Sequence, residues 1–542
     1  MLMRFKIISI LQFFLFSFGL TFAQQQPLSP TLQSPKLSPQ DKFGAAIDLI
    51  NKYYVDTVNT QKLTEYAIIG MLKELDPHSA YMTEEEMKKM DEPLQGNFEG
   101  IGVQFNILND TIEVMSPISG GPSEKLGILA GDKIVKIEGK DAAGVKITNE
   151  DVLKKLRGNK GTVVNISILR RGVKNLIDFS IVRDKIPIYT LDAAYMATPE
   201  IGYIKINRFG ATSDTEFKEG LSKLKQKGMK SLILDLRGNP GGYLNSAIEL
   251  ANEFLQENKL MVYTQGLTSP KNESFSTYGG EFKEGKLAIL IDRGSASASE
   301  IVSGAMQDWD RAIVIGQRSF GKGLVQKPFR LSDGSTLKIT IARYYTPSGR
   351  CIQIPYSEGV EKYYKALSDR LATGELFHAD SIHFPDSLKS FTMINKRTVY
   401  GGGGIMPDIF VPVDTTKNTP YYFDLFAKGV FNTFSLEYVD KNREQIKKDY
   451  PDFETFKTKF IVDKKFLSTF LDYAEKKGVK KNKKEIKISQ DLITNQIRAW
   501  ITRQIWVNGE YLQIVNEINP EYKKAIEAIQ GDTFTKMNIK YK

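Results

Sequence analysis

After Pro187 the chain repeats one pattern that few folds accommodate: an apolar run of strand length, a turn of small and polar residues, then a helix. Ser231 to Leu236 leads through Asp235-Leu236-Arg237-Gly238-Asn239-Pro240-Gly241-Gly242 into a helical stretch from Leu244 to Leu255. Leu287 to Ile291 leads through Asp292-Arg293-Gly294-Ser295-Ala296-Ser297-Ala298-Ser299-Glu300 into a second helix, from about Ala298 to Gln307. Ile201 to Ile206 precedes these units and Ala312 to Gly316 follows them. Strands joined by helices predict an α/β layer core with a partly parallel sheet.

The 542 residues are too many for one ordinary core and suggest three or four domains. With 41% hydrophobic and 25% charged residues, the chain has enough apolar material for large cores. Arg4 and Lys6 precede an uncharged run from Ile7 to Leu20 and then Thr21-Phe22-Ala23, which predicts a secretory signal peptide at 1–23. The run is short for a membrane span, and a small residue at Ala23 fits cleavage. The expected location is therefore the periplasm or wider cell envelope, with an uncleaved anchor in the inner membrane as the alternative. No cysteine lies near that site, which excludes lipoprotein attachment there.

Residues 24–40, with Pro27, Pro30, Pro35 and Pro39 among Gln and Ser, read as a linker. Helical spacing dominates 41–93, and short strands with glycine turns dominate 94–184, where Asn149 to Leu156 is the one helix. The α/β region spans 185–415 and carries a polar insertion at 357–397. Helices take over in 416–542, where Leu492, Ile493, Gln496, Ile497, Trp500 and Ile501 share an apolar face. That face packs against its own chain or against a second copy, so a homo-oligomer through the C-terminal helices is one expectation.

The single cysteine, Cys351, excludes an intramolecular disulfide framework and lies in an apolar stretch that suits a small buried hydrophobe. The formal charge of +10 becomes +8 without the leader, and the excess is concentrated late, where six of the nine residues from Lys476 to Lys484 are lysine. Such a run is a solvated loop first, with an anionic membrane surface or an acidic partner as the functional alternative. No aromatics interleave with it, so nucleic acid is not an expected partner.

The chemistry concentrates in the two strand-to-helix turns. At Ser297 a hydroxyl can stand with little steric cover, and the free N–H groups of the first helical turn can stabilise a developing oxyanion. Helix capping alone is the competing explanation. A serine nucleophile needs a base, yet only His78, His378 and His383 are present and none is persuasively placed, so a lysine base comes next. Gly316 to Gly323 almost spells a phosphate-binding loop. The residue that should hold Mg²⁺ is Gly323 instead of Ser or Thr, and a strand texture follows in place of a helix. The glycines around Lys322 therefore suggest one amine directed into a crowded site, usable as a base if burial depresses its pKa. Gln326, four residues on, shares the face of Lys322 in an extended strand. Gly241 and Gly242 free backbone amides for a second oxyanion donor, or simply make a tight turn.

Together, Ser-Ala-Ser-Ala-Ser-Glu at 295–300, Phe-Gly-Lys-Gly at 320–323, glutamine at 326, Asp-Leu-Arg-Gly-Asn-Pro-Gly-Gly at 235–242, Leu-Asp-Pro-His-Ser at 75–79 and Gly-Gly-Ile-Met-Pro-Asp at 403–408 resemble the tail-specific, carboxyl-terminal processing proteases of peptidase family S41. The resemblance covers roughly 42–413. It implies Ser297 as nucleophile, Lys322 as base, Gln326 as its orienter, and Ala298 with the Gly241/Gly242 turn as oxyanion donors, with no metal and no cofactor. Glu300 and Asp308 also match the family and are expected to shape the site. Gly100-Ile101-Gly102-Val103 and Gly127 to Ile134 resemble a PDZ domain, which would receive a carboxyl terminus on turn amides and pair the preceding residues as a strand.

The expected whole is a multidomain α/β protein: an N-terminal helical region, a PDZ-like β-rich domain, an α/β ClpP/crotonase-like catalytic core and a C-terminal helical extension. Its expected function is an exported serine endopeptidase acting on envelope proteins with accessible C-termini, with an adaptor protein as a further partner. The alternative is a catalytically weak PDZ scaffold or adaptor of the envelope. A serine hydrolase of another kind would be expected to show Gly-x-Ser-x-Gly and a histidine.

Overall fold

The computed structural model describes residues 37–539 and 541. The expected signal peptide and most of the expected linker lie outside them. The chain through Ala67 forms one unit and Ile68 onward a second. In the first, Ser38 caps the helix Pro39–Tyr53 by accepting the Asp41 N–H at 3.1 Å, and no residue of that helix is buried.

In the second unit a six-stranded sheet runs in the order Leu191–Met196, Ile201–Ile206, Ser231–Asp235, Leu287–Ile291, Ile313–Gly316, Ile409–Phe410. The first pair is antiparallel and the remaining pairs are parallel, as the strand–turn–helix pattern predicts. Alternate residues feed two cores. Ile204, Leu234, Ile289 and Val314 face the helices Ser213–Gln226, Leu244–Asn252 and Ala298–Asp308. Tyr203, Ile233, Leu290 and Ile313 face Tyr522, Ala525, Ala528 and Ile529 of the helix Pro520–Gln530. With both faces covered, every residue of Leu287–Ile291 is buried, which is why that run carries no polar residue.

A second sheet contains the hairpin Leu324–Arg330/Thr336–Tyr345, flanked by Leu260–Gln265 and, on an edge, by Ala80–Met82. A bulge between Val325 and Gln326 interrupts the hairpin register. The insertion after Tyr356 holds the helix Val360–Ala372 and packs onto the core, with Tyr363 only 1% exposed.

The PDZ-like region forms a sheet from Val103–Leu108, Thr111–Pro117, Lys133–Ile137, Val163–Leu169 and Ile177–Val182 around Ile112, Ile134, Val152 and Ile166. Its helix Asn149–Leu156 starts at a Thr148/Asp151 capping box. The chain enters and leaves through paired strands, Asn97–Gly100 against Asp184–Pro187.

The C-terminal extension is a helical bundle with Phe431, Phe456 and Phe470 at its centre. Ile493, Ile497 and Ile501 of the helix Lys483–Arg503 are fully buried in that core, so the apolar face read from the sequence is filled by its own chain. The segment from Asn508 then leaves the bundle and returns to the back of the six-stranded sheet.

Candidate active site

Ser297 sits between the strand Leu287–Ile291 and the helix Ala298–Asp308 with φ +55° and ψ −111°. That backbone is disfavoured for a residue with a Cβ and costs roughly 1–3 kcal/mol, so the surroundings must hold it. They do so with the Ser297 N–H, which donates to Glu300 Oε2 at 2.8 Å, and with the preceding Ala296 N–H, which donates to the Asn239 carbonyl at 3.0 Å. The Ala298 N–H, first in the helix, has no acceptor among the described residues.

Asn239 latches the neighbouring turn. Its Nδ2 donates to the Ile206 carbonyl at 3.0 Å, its Oδ1 accepts from the Gly241 N–H at 2.9 Å, and its carbonyl also accepts from Ser299 Oγ at 2.9 Å. The Gly241 N–H is thereby occupied, whereas the Gly242 N–H has no acceptor among the described residues. What Gly241 supplies is room: a methyl there would lie 2.7 Å from Ser297 Cβ and 3.0 Å from the Ala298 nitrogen, at φ +101°. The sequence marked both glycines as amide donors and could not show that a side chain two residues back claims one of them.

The loop carrying Lys322 is tied to Ser297 through one carboxylate. Besides the Ser297 N–H, Glu300 accepts from Ser319 Oγ at 2.5 Å and from the Gly321 and Lys322 N–H groups at 2.7 and 2.9 Å. Burial pushes its pKa up to about 7, although these four hydrogen bonds pull it down. The capping residue of the sequence is thus also the joint between two loops. Tyr344, from the hairpin, lies with its hydroxyl 3.1 Å from the Ser297 carbonyl and 2.5 Å from that of Lys322, a bridge with no signal in the sequence. Arg370 of the insertion donates to the Ser319 carbonyl at 2.7 Å, so the insertion also braces this loop.

Burial, helped by the positive charge of Lys338, brings Lys322 down to about 8. Its amine has no ion-pair partner among the described residues and is not hydrogen-bonded to Ser297 Oγ. Gln326 reaches the same cleft, but its Nε2 donates to Thr340 Oγ1 at 3.3 Å and its Oε1 takes no hydrogen bond from the Lys322 amine. Lys322 precedes the strand, which begins only at Leu324, so the period-two spacing on which the expected Lys322–Gln326 contact relied does not run through it. Asp76 and His78, from Leu-Asp-Pro-His-Ser, stand close to Lys322: the Asp76 charge acts on Lys322, and the Lys322 charge acts on His78. Burial and then the Lys322 charge hold His78 down to about 4, and its Nε2 lies 3.1 Å from the Tyr363 hydroxyl. Ser297, Lys322, Gly242, Ala298 and Gln326 line one cleft of about 800 Å³, walled by Met87 and Leu94.

A second cleft, of about 370 Å³, opens between the strand Val103–Leu108 and the helix Asn149–Leu156. Ile101, Gly102 and Val103 line it, and the N–H groups of Ile101 and Gly102 have no acceptor among the described residues. Gly100 does not line it. That residue pairs with Asp184 in the connecting ribbon. Val152, Leu153 and Leu156 form the opposite wall, detectable only from the helical spacing of 152 and 156. At the groove's end Arg157 stacks on Phe98, 4.6 Å from the ring centre, and pairs with Glu92 of the helix Glu84–Gln95.

Comparison with known proteins gives four family matches: peptidase family S41 over residues 200–364, a PDZ domain over 100–181, the N-terminal domain of the activating protease CtpB over 21–86, and a family of unknown function, DUF8443, over 421–508. A carboxy-terminal-processing protease of Bartonella bacilliformis is 38% identical over 347 residues, which is 62% of this chain and 79% of that protein. The carboxy-terminal processing proteases CtpB and CtpA of Bacillus subtilis are 36% and 38% identical, covering 62% and 60% of this chain and 69% and 68% of theirs.

Proposed function

Because the chain belongs to the carboxy-terminal processing proteases of peptidase family S41, which are serine-type peptidases, we propose that it cuts protein substrates with Ser297 and Lys322 after engaging their C-termini in its PDZ groove. Neutral Lys322 takes the proton of Ser297 Oγ as that oxygen attacks the scissile carbonyl. The Gly242 and Ala298 N–H groups receive the oxyanion. Lys322 then gives its proton to the leaving amine, and water, deprotonated in turn by Lys322, hydrolyses the acyl-enzyme. The observation that carries this reading is one cleft lined by a strained serine, two unpaired amides and a partly buried lysine with no anionic partner among the described residues.

In the PDZ groove the free Ile101 and Gly102 amides suit a carboxylate, the strand Val103–Leu108 suits an extended peptide, and Val152 and Leu156 suit an apolar final side chain. Envelope proteins are the proposed substrates, presented directly or by an adaptor, because the first 23 residues read as a signal peptide. A mature chain beginning near Gln24 is expected by intact mass. A cytoplasmic chain retaining Met1 would contradict export.

Ser297→Ala and Lys322→Ala should each lower cleavage of an unfolded protein by at least about 10⁴-fold with the fold intact, since the dyad acts as a unit. Turnover retained by either purified variant would remove the dyad.

A further inference from the structure

The segment that closes the back of the six-stranded sheet lies beyond the residues matched by the S41 and DUF8443 families, yet it touches the turn that carries Gly242. The contact is Arg237, between the end of the strand Ser231–Asp235 and Gly238. Its Nε and Nη2 donate to the two oxygens of Asp235 at 3.0 and 2.6 Å. Its Nη1 donates to Asn519 Oδ1 at 2.7 Å and to Glu521 Oε2 at 3.1 Å. Lys205 Nζ donates to the Arg237 carbonyl at 2.8 Å, and the Tyr203 hydroxyl donates to Asp235 at 2.6 Å. The Arg237 side chain is 14% exposed and that of Asp235 is fully buried.

Asn519 Oδ1 also accepts the Tyr522 N–H at 2.8 Å, capping the helix Pro520–Gln530 whose Tyr522, Ala525, Ala528 and Ile529 are buried against the sheet. One oxygen atom thus joins a firmly packed helix to the residue that starts the turn. A guanidinium with one face held by Asp235 and the other left unpaired in a nearly closed site would draw toward water. Because Arg237 starts the turn, a shift there would strain Gly238 and the Asn239 latch next to Gly242.

We propose that Asn519 and Glu521 are positioning residues for the peptidase, setting the place of the Gly242 N–H through Arg237 from the far side of the sheet. The proposal rests on the reading that Gly242 and Ala298 hold the oxyanion. Displacing one donor by a fraction of an ångström weakens the transition state and leaves ground-state binding in place, so kcat should fall and KM should not change.

The test uses the full chain with Glu521→Gln, Asn519→Ala and the double substitution, and Lys523→Gln on the exposed side of the same helix as control. Each is assayed on a short internal peptide and titrated with a peptide aldehyde, whose serine adduct places an oxygen in the hole, and with the matching alcohol, which forms no adduct. The double variant should lose about tenfold in kcat with KM within about twofold. It should lose aldehyde affinity by the same factor, keep alcohol affinity, and leave the Lys523→Gln control unchanged. Unaltered kcat, equal weakening of aldehyde and alcohol, or a loss that follows only the fraction of folded protein would overturn the proposal. If the double variant does not fold, Glu521→Gln, which keeps the side-chain shape, is read by the same criteria. Cleavage surviving Ser297→Ala would instead bring down the underlying reading of the site.

Discussion

The catalytic cleft and the PDZ groove solve opposite problems. Around Ser297 and Lys322 the backbone is tied down: Glu300 alone accepts four hydrogen bonds, Asn239 engages in five, and Ser297 is held in a disfavoured conformation. The groove between Val103–Leu108 and Asn149–Leu156 is mostly apolar, offering the Ile101 and Gly102 N–H groups with Gln104 and Arg157 as the polar side chains of its lining. Charge that develops only in a transition state is stabilised by dipoles already in place, whereas a tail that arrives as an extended chain brings its own hydrogen-bonding pattern. Chemistry here is bound to exact backbone positions, and recognition to spacing and apolar surface.

Equivalent-looking glycine substitutions should separate the two regions most sharply. Gly241→Ala puts a methyl 2.7 Å from Ser297 Cβ and should lower cleavage of short and tailed substrates alike by about 100-fold or more. Gly102→Ala, at φ +76°, meets the end of the Ile186 side chain at 2.9 Å, which can move, and should slow only tailed substrates. If Gly102→Ala impaired the short peptide as severely, the division between the clefts would fail. A gentler probe is the substrate itself. Amidating the C-terminus of a tailed protein should weaken recruitment by roughly 1–3 kcal/mol, and a short internal peptide should be indifferent to the same change. Equal rates for free-acid and amidated forms would remove carboxylate capture and leave the peptidase assignment intact.

The smallest expected effect lies in the pH profile of the short peptide. A base must be neutral, so kcat/KM should rise with pH through about 8, where burial and then Lys338 hold Lys322 below its ordinary value. Lys338→Met removes the repelling cation and should move that limb to higher pH, lowering the rate at pH 7. Asp76→Asn removes an attracting anion and should move it the other way. Each shift should stay within about one pH unit. A limb that ignores both substitutions would show that Lys322 is not the group being titrated.

Much of the catalytic cleft was legible because its parts are contiguous in the chain. Ser297 follows directly from an apolar strand and a small-residue turn, and Asp235 to Gly242 announces itself in the same way. What failed or was missed involved a side chain arriving from elsewhere. The Gln326 contact assumed a strand that already includes Lys322, and the strand begins only at Leu324, a boundary set by how the hairpin pairs. Tyr344, Arg370 and Tyr363 reach the site from a hairpin and an insertion that carry no local sign of it. For the groove, the motif gave one wall, Ile101 to Val103, while the other, Val152 to Leu156, depended on how the helix docks. The amphipathic face in 490–507 was evident, but only the packing of Ile493 and Ile497 against the aromatic bundle shows what covers it.

The position of the helix Pro520–Gln530 along the chain has a consequence in time. A polypeptide is made from its amino end, and its domains fold broadly in that order. The strands from Ile201 to Gly316, and Ser297 with them, emerge well before the helix that covers Tyr203, Ile233, Leu290 and Ile313. Until that helix arrives, the growing chain carries Ser297, the proposed nucleophile, on a sheet with one bare apolar face and an Arg237 lacking two of its partners. If the site matures only when that helix docks, self-cleavage and attack on neighbouring chains would be delayed until residues 520–530 are available. Arrested chains ending before and after residue 530 should differ as a step in their labelling by a serine-directed reagent, and a gradual or earlier onset would show that the core matures without its last helix.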